Sequence, residues 1–241
     1  MIDYIIKFSI ATKLDEVSPS LTIALGDASE PVAISTALKV MGLMTILSIA
    51  PSIFISLTSF VRIIVVMSFL RQAIGIPTIP PNQVLAGLAV FMTFFIMKPV
   101  FLESYEKGFV PFNKEEITVQ EFYDRSTFPF KKFMLNQTRA KDLELFVNIS
   151  KSDRPKSEAD LSLAILIPSF LISELRTAFT IGFLIYIPFL VLDMVIASVL
   201  MSMGMMMLPP VMISLPFKII LFVLVDGWHL VAGSMIKSFG I

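Results

Sequence analysis

The sequence predicts an all-α protein of kinked helical hairpins, polytopic in a membrane, belonging to a complex and carrying a small helical insertion outside the cytoplasm. Three observations carry that expectation. Of 241 residues, 56% are hydrophobic and 16% charged, with a mean hydropathy of +0.84, whereas soluble domains are about a quarter charged. Uncharged runs recur, as from Val40 to Val61, that match the roughly 20 apolar residues of a spanning helix. Yet the apolar segments also hold Arg62, Glu174, Arg176, Asp193, Lys218 and Asp226, with Pro51, Pro168, Pro188 and Pro216 among them. A charge at the bilayer centre costs about 2.5–3.5 kcal/mol. Hydropathy alone draws four spans, but these charges must face protein, each other or water, which implies tight packing in an assembly.

Residues 1–34 form a lead-in. Asp3 stands where a signal peptide needs basic residues, and Lys7 interrupts the apolar stretch, so the segment reads as irregular or amphipathic, the remainder of a processed precursor. Residues 35–98 form the first helical hairpin region. Pro51 is expected to kink or break its first helix, Arg62 and Arg71 bracket a short second one, and "GIPTIPPNQ" is a loop. Asn82 is expected to cap the next helix, and Lys98 with Pro99 to close it. Residues 99–160 are a polar helical insertion, expected in the periplasm. Asn113 and Glu116 resemble a capping box there, and Pro129 reads as a breaker. Phe130, Phe133, Met134, Leu143, Phe146 and Ile149 fall on approximately one helical face, and "SKSDRPKSEAD" reads as a mobile surface loop. Residues 161–241 are the C-terminal helical hairpin region, turning at "MSMGMMMLPP" (201–210).

Charge and composition exclude several functions. Nineteen basic and nineteen acidic residues leave no net charge, so nucleic acid is not an expected partner. Cysteine is absent, which removes disulfides and thiolate chemistry. No nucleotide loop, zinc motif or nucleophile with its base occurs, so neither catalytic residues nor a cofactor or metal is expected. Asp226 and Trp228 read as a capping aspartate beside an interfacial tryptophan, and His229 as an interface residue.

The turn concentrates Met201, Met203, Met205, Met206 and Met207 around Gly204, ahead of Pro209-Pro210. Methionine is unbranched, flexible and polarizable, and fills irregular space. On residue chemistry alone, these side chains plug a helix–helix gap, or their spacing makes a copper(I) thioether site. The second option belongs to an autonomous small-solute or copper(I) transporter. Such a protein is expected to show internal repeats, and residues 40–98 and 161–240 show none. Glu174 and Lys218 are each isolated among apolar residues and each needs a partner. Glu174 with Arg176 and Asp193 with Lys218 are possible pairs within one chain. A Glu174–Lys218 pair between identical copies is the other arrangement.

Two long stretches resemble the signatures of the FliP family of flagellar type III export-gate subunits. They are "LTSFVRIIVVMSFLRQAIGIPTIPPNQVLAGLAVFMTFFIM" (57–97) and "LISELRTAFTIGFLIYIPFLVLDMVIASVLMSMGMMMLPPVMISLPFKIILFVLVDGW" (171–228). With the insertion between them, the resemblance runs from about residue 40 to the end. The double proline after the methionines is nearer the flagellar form than the injectisome homologue. The resemblance implies a five-copy ring of this chain with FliR and FliQ, working with FlhB and FlhA, in the bacterial inner membrane at the flagellar basal body. That ring would conduct unfolded flagellar subunits. It further implies that Met205, Met206 and Met207 line the lumen as a gasket, with Met201, Met203 and Gly204 supporting them, and it favours the inter-subunit Glu174–Lys218 pair.

Overall fold

The computed structural model describes residues 31–150, 161–205 and 207–240, with side chains described from Leu38 onward. Residues 1–30 of the lead-in expected over 1–34, the loop at 151–160 and Met206 lie outside the described residues, and residues 31–34 open the first helix. Among those residues every regular element is a helix. The chain divides into two units, residues 1–50 and 51–241.

Helix α1 covers Pro31–Leu57, and its apolar side chains Leu38, Met41, Leu43, Met44, Ile46, Leu47 and Ile49 are all exposed. It passes through Pro51 unbroken; proline deletes one ladder bond, and the neighbouring turns hold the helix. The break comes instead at Thr58 and Ser59. The Thr58 hydroxyl donates to the Phe54 carbonyl at 2.7 Å and accepts from the Phe60 amide at 3.4 Å, giving the backbone a side-chain partner where the ladder stops.

Helix α2 (Phe60–Ile74) buries Ile63, Val66, Met67, Leu70 and Ala73, one stripe at helical spacing. Helix α3 (Asn82–Ser104) does the same with Leu85, Ala89, Met92 and Ile96. Asn82 does not cap α3: the N-cap is Pro81, and the Asn82 side-chain oxygen accepts from Arg71 Nη1 at 2.7 Å. Lys98 and Pro99 do not close it either, since both are exposed and the helix continues past them. It runs into a π-helical turn at Tyr105–Phe109 and a short α4 at Val110–Asn113.

The insertion then forms α5 (Val119–Gln137) and α6 (Ala140–Ser150). Its capping box is Thr118 with Glu121, not Asn113 with Glu116. Asn113 is the last residue of α4, and the Glu116 amide already donates to the Pro111 carbonyl. Pro129 lies inside α5 and breaks nothing. The face expected across 130–149 is split between two helices: Phe130, Phe133 and Leu143 pack around Met134, Leu161, Leu166 and Phe170, while Ile149 is exposed.

Helix α7, Leu163–Ser202, is 40 residues long and contains Pro168 and Pro188. It packs on α2 so closely that a Cβ on Gly182 would lie 2.7 Å from the Phe69 ring. In lipid, helix association depends on such packing because hydrocarbon is as apolar as leucine. Helices α8 (Pro210–Leu224) and α9 (Gly227–Lys237) meet at a bend of 62°. Among the described residues, three helical stretches are long and apolar enough to cross a membrane: Leu38–Leu57, Asn82–Asn113 and Leu163–Ser202. The α8–α9 pair makes a fourth if the bent pair counts as one span.

Candidate functional site: two charge centres and a methionine turn

Arg62 enters the core from the first turn of α2, and its side chain is only 3% exposed. All five of its N–H donors find acceptors. Nε donates to Glu174 Oε2 at 2.9 Å and Nη2 to Glu174 Oε1, a bidentate pair. Nη2 also donates to Gln137 Oε1 at 2.9 Å, and Nη1 to the Ser238 carbonyl and hydroxyl at 3.1 Å each. The guanidinium stacks on Phe239, 3.9 Å from the ring centroid. One cation thus ties α2, α5, α7 and the residues after α9 together. Beside it, the Ser173 hydroxyl donates to Asp142 Oδ2 at 2.6 Å and accepts from the Arg139 amide at 3.1 Å, which joins α6 to α7.

The second centre lies on the α7–α8 hairpin. Ser214 and Lys218 stand four residues apart, so they share one face of α8. Both reach Asp193 of α7: Lys218 Nζ donates to Oδ2 at 2.6 Å, and the Ser214 hydroxyl donates to Oδ1. The Lys218 side chain is 4% exposed and that of Asp193 28%.

Glu174 and Lys218 therefore each have a partner in their own chain. Glu174 pairs with Arg62, which is distant in sequence, and Lys218 pairs with Asp193. The inter-subunit Glu174–Lys218 contact expected from the resemblance would have to compete with both pairs, and Glu174 is wholly buried. Arg176, two positions along α7, points away and is exposed. Asp226 occupies the N-cap position of α9 at φ 50° without a side-chain cap bond, so it does not act as the capping aspartate expected. His229 is exposed, and Trp228 makes an edge contact with Phe222, their centroids 5.5 Å apart.

Between the two arms of the hairpin lies the methionine turn. Gly204 adopts φ 78°, a conformation that costs glycine little, and Pro210 opens α8 at its first position. Met201, Met203, Met205 and Met207 are exposed, Met207 by 98%. The flanking Met194, Val195, Val199, Val211 and Met212 are exposed too, so the hairpin end is an uncovered apolar tip. Within the described residues no three of His, Asp and Glu gather as metal ligands would.

Sequence reasoning offers Asp193 with Lys218 as one possible pair within the chain, which the structure shows, but it reads Arg62 only as a buried charge. It missed Gln137, Asp142, Ser173, Ser214 and Ser238. Ser214–Lys218 spacing was the one local signal available; the partners of Arg62 are 75 to 176 positions away.

Fold and site together define a polytopic helical membrane protein whose buried charges join helices and whose hairpin tip is left bare. The FliP family model matches residues 43–235, and the chain belongs to the FliP family. It is 53% identical over 217 residues to the flagellar biosynthetic protein FliP of Bacillus subtilis, covering 90% of this chain and 98% of that one. The corresponding protein of Caulobacter vibrioides is 55% identical over 83% of this chain and 76% of its own length. That of Aquifex aeolicus is 47% identical over 92% of both.

Proposed function

We propose that this chain is the pore-forming subunit of the flagellar protein export gate in the bacterial inner membrane, at the base of the flagellum. Several copies, five on the family pattern, close a ring with FliR and FliQ and work with FlhB and FlhA. The insertion 99–160 faces the periplasm. The ring conducts unfolded flagellar subunits, and the methionine turns meet in its lumen.

The observation that carries this reading is the bare hairpin tip: an uncharged methionine turn, exposed at the end of two apolar arms that nothing among the described residues covers. Copies around an axis would bury the arms against each other and bring the turns together. A narrow apolar constriction excludes ions and water by dewetting, and methionine can repack around a passing chain of any sequence. Arg176 and Asp226 agree with it. Both are exposed beside apolar surface, which lipid tolerates poorly and a neighbouring subunit could accommodate. The name borne by the relatives, flagellar biosynthetic protein, supports the export setting.

Native mass spectrometry of the detergent-extracted protein, co-expressed with the other small membrane components, tests the proposal. A multimeric ring containing them is expected. A stable monomer solvated by lipid or detergent alone would count decisively against it.

A further inference from the structure

The two arms of the α7–α8 hairpin beyond Phe189 and Phe222 are mostly uncovered; Leu200, Ser214 and Lys218 are the buried residues of that stretch among those described. Apolar contacts between two helices are non-directional, and methionine- and valine-rich surfaces let one helix rotate or slide against another with little change in energy. A hydrogen-bonded ion pair does not. Asp193 accepts from two groups one helical turn apart on the opposite arm, and two fixed points define both rotation and axial register. Asp193 lies nine residues before the end of α7 and Ser214 four after the start of α8, so register there sets where the turn at 203–209 sits.

We propose that Asp193, Ser214 and Lys218 form an in-chain clasp that positions the methionine turn. They are positioning residues: they act by holding the two arms in one register. The inference rests on the gate reading for its consequence, but the clasp itself is a statement about hairpin geometry. Buried ion pairs suit this role, since replacing one with apolar residues of similar volume is often neutral for stability while the directional constraint is lost.

The absence of cysteine allows a clean test in the assembled complex. A single Leu208→Cys carries a spin label, and pulsed EPR reads the distances between turns of neighbouring copies. The distribution should be narrow in the parent. Asp193→Leu with Lys218→Met should keep the amount of assembled complex but broaden it, and Ser214→Ala, a small change that the fold tolerates, should broaden it less. Lys218→Arg should restore the narrow distribution, because it keeps the charged donor. Unchanged distances in the assembled double variant, or in Ser214→Ala if the double variant fails to assemble, would overturn the clasp. Ion leak is measured on the same membranes. Broadened distances with leak support both ideas, whereas broadened distances with tight membranes keep the clasp and remove the gate reading.

Discussion

Arg62–Glu174 and Asp193–Lys218 are both acid–base pairs between apolar helices, yet they differ in every physical respect that decides what a pair does. The Arg62 pair is sealed: its side chains are 3% and 0% exposed, and every guanidinium donor is used. The Asp193 pair is half open, with the side chain of Asp193 28% exposed and two donors around it among the described residues. Packing follows the same division. Around Arg62 lie the closely packed stripes of α2, α3 and α7, and around Asp193 lie exposed valines and methionines. The first pair is part of what makes the fold one object. The second sits outside the packed core, beside exposed apolar surface, so it can orient a segment without holding the core together.

The largest expected effect breaks the sealed centre. Glu174→Ala leaves the Arg62 guanidinium buried without its carboxylate, which costs about 3–5 kcal/mol; thermal unfolding in detergent and the yield of folded chain should both fall sharply. Lys218→Ala should do less, because Asp193 can still reach water.

An exchange between the two centres sharpens the comparison. Glu174→Lys with Lys218→Glu should be no better than the worse single variant. In one chain it places a lysine against Arg62 and a glutamate against Asp193. Partial recovery of assembly would instead favour the inter-subunit Glu174–Lys218 contact.

Gly182→Val should come next. Its side chain must displace Phe69, and overpacking of this kind costs about 1–3 kcal/mol. The loss should appear as a lower unfolding temperature, while variants at exposed Phe183 leave it unchanged.

The smallest effect lies in the insertion. Thr118→Ala removes the α5 cap and should cost about 1 kcal/mol. Hydrogen bonds from the Thr118 amide and hydroxyl hold the Glu121 carboxyl below its ordinary range. A carboxyl depressed on folding stabilises above its unfolded value, and that stability disappears as pH falls through the lower folded one. Amide protection at the start of α5, taken against the unstructured exchange rate at each pH, should therefore fall on acidification in the parent, and depend less on pH in Thr118→Ala.

Fold class was legible because composition and uncharged runs are global signals, and the hairpin turn because glycine and proline act locally. Helix ends were less so. Pro51, Pro99 and Pro129 were expected to break or close helices and do not, since one missing ladder bond is outweighed by packing and by the intact turns on either side. Both residues of the sealed pair were visible as isolated charges, but their pairing was not. Glu174 has Arg176 close by in sequence, and only the packing of α2 on α7 brings Arg62 to it instead. Ser173, Ser238 and Gln137 carry no signal outside the fold, because a hydroxyl or amide is unremarkable until a charge is placed beside it; Ser214 alone has its network's own charge at helical spacing, Lys218.

The central claim is that the methionine turn is a deformable seal, and membrane conductance tests it most directly. Met205, Met206 and Met207 are replaced together by alanine or by leucine, at equal levels of assembled complex, with secretion measured alongside. The alanine triple should assemble but leak ions, because it removes the volume that fills the hole. The leucine triple should stay tight, since volume and apolarity are nearly kept, and lose export more than closure, since a branched side chain repacks less readily around cargo. Tight membranes in the assembled alanine triple, with other seals removed, would contradict the account and leave these methionines as packing alone.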